Sequence, residues 1–224
     1  MTPTPIKWSY SSLSLFQQCP KKYYHLRVKK DVVEPPSRQM LYGSAAHKAA
    51  EDYIKDGTPL DPRFDFMQDT LDALKNRDGE KLCEFRLGLT EQLEPCSFSA
   101  PDVWWRGIAD LIILEEGKTA KVVDYKTGKS QYADVKQLEI LALAMFKHFP
   151  EIEVIKTGLV FLVHPAFIQA EFTKDKEEDL WAYWKTETDR LAASYENDVW
   201  NPTTNFTCKS WCPVLDCAHN GRNR

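Results

Sequence analysis

The stretch GIADLIILEEGKTAKVVDYKTGKS, residues 107 to 130, decides how this chain reads. Two runs rich in β-formers, 107–114 and 120–126, flank the polar turn Glu115-Glu116-Gly117-Lys118-Thr119, which is the pattern of an antiparallel hairpin. If residues 115 and 119 close the loop, the register carries Asp110 opposite Asp124. Directly opposed residues have Cβ atoms roughly 4.5–5.5 Å apart on one face of the sheet. Two carboxylates so placed among Ile108, Leu111, Ile112, Val122 and Val123 repel unless something positive lies between them. A divalent cation meets that need, and oxygen donors suit Mg2+ or Mn2+. Lys126, two residues beyond Asp124, points to the same face because strand side chains alternate.

The stretch ends in Gly128-Lys129-Ser130, which resembles the tail of a phosphate-binding loop. Such a loop needs a glycine five residues earlier so that backbone N–H groups can turn toward phosphate. That position is Val123, so the nucleotide reading fails and the chemistry falls to Asp110, Asp124 and Lys126. A half-buried hairpin with solvated acids is the competing structural reading, and the apolar residues on both sides of each acid argue against it.

Working outward, residues 9–30 read as a helix interrupted at Cys19-Pro20, and LYGSAAHKAAEDYIKDG (41–57) as a helix closed by Gly57. Residues 62–80 read as a further helix. Strands are expected at 84–89, 103–114, 120–126, 155–163 and 167–173. The apolar spacing of 131–148 and of the run from Lys174 to Asn197 predicts helices. No repeat is visible.

The composition of the 224 residues, 43% hydrophobic and 28% charged, is that of a soluble globular protein. No apolar run reaches membrane-span length and the N-terminus has no secretory pattern, which predicts a cytoplasmic protein. A net charge of −4 argues mildly against a protein that coats nucleic acid. Locally, however, Lys21, Lys22, His25, Arg27, Lys29 and Lys30 crowd one stretch that could follow a phosphate backbone, and Trp104, Trp105 or Tyr132 could stack bases.

Six cysteines without a secretory signal point to metal ligands or thiols rather than disulfides. Cys208, Cys212 and Cys217 cluster near the C-terminus and Cys19 stands near the N-terminus. Four thiolates suit an iron–sulfur cluster or structural zinc, and three of them with His219 would also suit zinc.

Taken together, these segments resemble the PD-(D/E)XK nuclease superfamily, and within it the RecB-type branch that includes CRISPR-associated exonucleases with a four-cysteine cluster and the AddB nuclease domain. The resemblance is carried by YSSLSLFQQCPKKYYHLRV, YGSAAHKAAE, GIADLIIL, VVDYKTGKS and QLEILALAM. It implies one nuclease domain over 1–224 with a restriction-endonuclease-like α/β core at about 40–175 and a cysteine module from 9–30 and 200–224. It also implies Mg2+ or Mn2+ held by His47, Asp110, Asp124 and the Tyr125 carbonyl, catalysis by Asp110, Asp124, Lys126 and Gln137, and a [4Fe–4S] cluster on Cys19, Cys208, Cys212 and Cys217. The implied activity is a DNA exonuclease acting on single-stranded or frayed ends, with a helicase or recombination partner for duplex. The alternative is a non-catalytic DNA-binding scaffold that keeps the fold. Leu141 stands where the branch has a tyrosine after its glutamine, and the tail CKSWCPVLDC spaces its cysteines differently from the branch.

Overall fold

The computed structural model of the protein describes residues 6–223, apart from the side chains of Tyr132 and Asn223, so the stacking expected of Tyr132 lies outside the described residues. The chain divides into two compact units. One consists of Ser37–Trp181 with the residues up to Lys7, and the other of Trp8–Pro36 and Ala182–Arg224.

The first unit is a mixed six-stranded sheet flanked by helices. Its strands are β1 (Glu80–Leu89), β2 (Pro95–Cys96), β3 (Trp105–Leu114), β4 (Thr119–Lys126), β5 (Val154–Phe161) and β6 (Ala166–Thr173), in the spatial order β2-β1-β3-β4-β5-β6. All neighbours are antiparallel except β4 and β5, where Thr119 pairs with Val154 and Lys126 with Phe161. A parallel pair needs a crossover. The helix Lys136–His148 supplies it, with Leu138 to Phe146 all buried.

On one sheet face, Leu111, Ile113, Val123, Tyr125, Val160 and Leu162 pack against Ala46, Ala50 and Ile54 of the helix Arg38–Asp56 and against Phe64, Met67 and Leu71. Ser37 caps the first turn of that helix by accepting the Met40 N–H at 3.2 Å, and Gly57 ends it at φ 71°. Strand alternation sends the intervening residues, Leu159 and Phe161 among them, to the other face, where they meet Leu138.

Several boundaries differ from the sequence reading. The region 62–80 is a 3-10 turn, Pro62–Met67, then a helix ending at Lys75. Gly79 at φ 114° lies so close to the Leu114 carbonyl that a Cβ would sit 2.4 Å from it, so the chain turns there into β1. The crossover helix begins at Lys136 rather than 131, because the Asp134 side chain takes up the Lys136 N–H at 2.9 Å. β2 is too short to leave a pattern in the sequence.

In the second unit, Tyr10–Gln18 is a helix with a reciprocal capping box between Ser9 and Ser12. Pro20 restarts the chain as a short helix, Pro20–Tyr23, followed by a π-turn, Tyr24–Val28. Trp8 stacks on Trp184 and Tyr23 on Trp200, with ring centroids 5.8 and 5.9 Å apart. Glu177–Asn197 is the long C-terminal helix. Among the described residues no helix is long and apolar enough to cross a membrane.

Candidate metal and active site

The hairpin register is the one its turn length dictates. Leu114 pairs with Ala120, Ile112 with Val122 and Leu111 with Val123. There β3 and β4 part, although β3 stays paired to β1 as far as Trp105 and β4 stays paired to β5 as far as Lys126. Asp110 and Asp124 are the first residues past the split. A broken ladder leaves backbone donors to satisfy, and the Asp110 carboxylate does so by accepting the Tyr125 N–H at 2.6 Å.

The pairing of β1 with β3 is interrupted at the same level. Cys83 faces Leu111 and Phe85 faces Ala109, but Glu84, between them and level with Asp110, adopts φ 48° and drops out of the ladder. A left-handed residue with a side chain costs roughly 1–2 kcal/mol. Three carboxylates on three adjacent strands, Glu84, Asp110 and Asp124, thus lie at the one level where the sheet opens.

His47 approaches from the helix Arg38–Asp56. Its Nδ1 lies 3.3 Å from Asp110 Oδ2, and its ring stands edge-on to Tyr125 at 5.9 Å. Lys126 Nζ sits 2.6 Å from Asp124 Oδ2 and donates to Gln137 Oε1 at 2.8 Å, while Gln137 Nε2 donates to Asp124 Oδ1 at 2.5 Å. Gln137, from the first turn of the crossover helix, therefore fixes both the acid and the lysine.

The charges reflect this crowding. Burial and then repulsion by Asp110 raise the Asp124 carboxyl to about 6, against the pull of Lys126 and His47. Burial and Asp110 also raise Glu84. For His47, burial acts downward, but the hydrogen bond and charge of Asp110, with Asp124 and Glu84 behind it, outweigh it and raise the imidazole pKa.

Donor atoms of His47, Glu84 and Asp110 all lie within 4.8 Å of one another, the spacing of ligands around one ion. They line a cavity of about 590 Å3 with Met40, Gly43, Ser44, Lys48, Glu51 and Ile108. Asp124 Oδ2 is buried and, apart from its ion pair with Lys126, accepts no hydrogen bond. A nitrogen donor and clustered hard oxygens fit a divalent cation such as Mg2+ or Mn2+.

Comparison with known proteins supplies the context. The sequence profile described as the PD-(D/E)XK nuclease superfamily matches residues 7–217. The chain belongs to the PD-(D/E)XK nuclease superfamily. No curated protein matches it in sequence. Among solved structures, a candidate exonuclease from Eubacterium rectale superposes with a TM-score of 0.54 at 11% identity, over 96% of this chain and 87% of that one. The crystal structure of SSO0001 aligns over 98% and 90% of the two chains with a TM-score of 0.49 at 14% identity. At 11% identity the likeness to the Eubacterium rectale protein is one of fold, and the mixed sheet flanked by helices is the restriction-endonuclease-like architecture of the superfamily.

Within this nuclease fold, the structure brings together His47, Asp110, Asp124, Lys126 and Gln137. Tyr125 contributes its N–H to Asp110, and its ring is buried in the core. Glu84 escaped the sequence reading, because nothing local marks it and only the register of β1 on β3 brings it level with Asp110.

Other expectations change. Trp105 is 1% exposed and cannot stack on a base, because it opens β3 with its side chain in the core. Trp104 lies against Trp181, with centroids 6.5 Å apart. The basic run is partly spent inside its own unit. His25 is buried against Asp31 at 2.8 Å, Lys29 reaches the same carboxylate at 2.6 Å, and Lys22 pairs with Glu34 at 3.5 Å.

Cys19, Cys208, Cys212 and Cys217 all belong to the second unit, whereas Cys83 lies in β1 and Cys96 in β2. Cys19 and Cys208 each accept a backbone N–H, from Thr203 and Asn205, at 3.5 Å. Burial raises the Cys212 thiol, and the neighbouring Cys208 and Cys19 add to that rise.

Proposed function

We propose that this protein is a metal-dependent DNA exonuclease that acts on single-stranded or frayed ends. The observation that carries the reading is the parting of β3 and β4 at Asp110 and Asp124, with Lys126 held on Asp124 by Gln137. In this reading Asp110, Asp124, Glu84, His47 and the Tyr125 carbonyl hold Mg2+ or Mn2+. The bound ion lowers the pKa of a water and neutralises charge on the scissile phosphate. Lys126 orients that water or stabilises the negative charge that builds at the phosphate, and Gln137 keeps the ammonium aimed. Asp110, anchored by the Tyr125 N–H, holds the two strands at the separation the site needs.

The four cysteines of the second unit belong to the same proposal, as ligands of a [4Fe–4S] cluster on the RecB-type pattern. Backbone N–H groups of Thr203 and Asn205 already point at the Cys19 and Cys208 sulfurs. Structural zinc is the runner-up, and its three-cysteine form would need His219, which is exposed while Cys212 and Cys217 are buried. The proposal extends to a cytoplasmic role in recombination or repair.

The substrate preference has an energetic basis. The chain has no phosphate loop, and opening duplex costs about 1.4 kcal/mol per base-pair step. With Mn2+ or Mg2+ present, initial rates on a linear single strand should far exceed those on a blunt duplex unless a helicase partner is added, and a relaxed circle should be left intact. Equal rates on circle and single strand would replace the exonuclease with an endonuclease.

A further inference from the structure

The helix Arg38–Asp56 presents one face to the site cavity: Met40, Gly43, Ser44, His47, Lys48 and Glu51 recur at helical spacing and all line it. Two features of this helix are not needed for holding a metal; of the residues concerned, Met40 lines the cavity and Leu41 and Tyr42 lie on the neighbouring sides of the helix. The first turns carry three consecutive large apolar residues in water, with Met40 63%, Leu41 58% and Tyr42 38% exposed. Tyr42 continues into Phe64 at 5.7 Å, and Phe64 into Phe66, itself 44% exposed, at 6.5 Å. Between Met40 and His47 the cavity wall is low, formed by Gly43 and Ser44. A Cβ on Gly43 would come within 3.2 Å of Thr127 Oγ1, so the helix lies close to the residue that follows β4 there.

We propose that Met40 and Leu41 form a seat for an unpaired nucleobase next to the scissile phosphate, with the sugar passing over Gly43 and Ser44. The inference rests on the nuclease reading above and names the residues that select its substrate. Met40 lies seven residues before His47, which is about 10 Å along a helix axis. A phosphate at the His47–Asp110 end of the cavity therefore places a neighbouring nucleotide over the low wall and its base against the Met40 side chain. Apolar side chains, methionine and leucine among them, wedge against base faces and gain from excluding water there. Without a metal, the carboxylates of the cavity, Glu51, Glu84 and Asp110, repel the phosphate backbone, so base contacts carry more of the binding. Bases in an intact duplex are stacked and paired and present no free face. The seat therefore rewards strands that are already separate, whatever their sequence.

The test compares the wild type with a Met40→Ser/Leu41→Ser double variant, whose changed residues are exposed and should leave folding intact. Two single strands of equal length are used, one ordinary and one in which every base is replaced by an abasic spacer. Binding is read by fluorescence anisotropy without metal, and cleavage with Mn2+. The wild type should prefer the base-bearing strand by roughly ten- to hundredfold. The double variant should lose most of that preference through a higher Kd and KM on the ordinary strand, with values on the abasic strand unchanged. A preference that survives in the double variant, or equal losses on both strands, overturns the seat. So does a wild-type dimer, seen by sedimentation, that the two substitutions dissociate, since the patch would then be a protein interface. A wild type that binds with the predicted base dependence yet cuts nothing with either metal retains the seat and defeats the nuclease reading instead.

Discussion

Asp124 sits buried at the end of an apolar strand, between Asp110 and Lys126, with Lys126 on one oxygen and Gln137 on the other. Its carboxyl is raised from 3.8 to about 6, so the folded protein binds that proton more tightly than the unfolded chain does. Its contribution to stability is therefore fully present below 3.8 and is lost as pH rises through about 6. The raised His47 acts in the same direction, stabilising below the ordinary imidazole range and losing that effect above it. Metal-free protein should therefore melt at progressively lower temperature as pH rises from 4 to 8. A divalent ion removes the cause by compensating the carboxylates, but below about 6 it must displace a proton. The rise in Tm produced by Mn2+ should accordingly be much larger at pH 7.5 than at pH 5. A rise independent of pH would mean that the ion binds elsewhere. Of these groups, Asp110, Asp124 and Lys126 were legible in the sequence because a short turn fixes their register, whereas Gln137 and His47 were visible only through the family likeness.

At the scale of elements, what positions the site is a coordinated interruption of three strands. β3 and β4 part beyond Leu111 and Val123, and β1 yields at Glu84. The hairpin half of this could be read because only four residues, 115–118, link β3 to β4. The β1 half could not, because residues 90–104 separate β1 from β3 and a connection of that length leaves the register open. The same reason hid β2. The parallel step from β4 to β5 was implicit in the strand-helix-strand order. Glu84 stores both backbone strain and carboxylate repulsion. Asparagine tolerates φ near +50° far better than glutamate and removes the charge. Glu84→Asn should therefore raise Tm in EDTA by a few degrees, weaken the stabilisation by Mn2+, and lower DNA cleavage by at least tenfold. A variant that melts lower in EDTA, or keeps full activity, would assign Glu84 a structural role only.

At the scale of the molecule, the chain divides its candidate chemistry between two units. The sheet unit gathers hard oxygen donors at its strand split, and Cys19, Cys208, Cys212 and Cys217 all fall in the second unit. Partner use within a folded unit was not legible, which is why the basic run looked freer in sequence than it is, with His25 buried on Asp31. Both units depend for their meaning on whether the strand split cuts DNA. The most direct measurement is the rate at which purified wild type and Asp124→Asn degrade an end-labelled single strand with Mn2+, alongside the Tm of each in EDTA. Asn keeps the shape of Asp124 while withdrawing its charge from a buried site, so the variant should be at least as stable as the wild type without metal and slower by a thousandfold or more, on the order of the loss when one key charge-stabilising group is removed. An Asp124→Asn protein that remains folded and cuts at the wild-type rate would contradict the account.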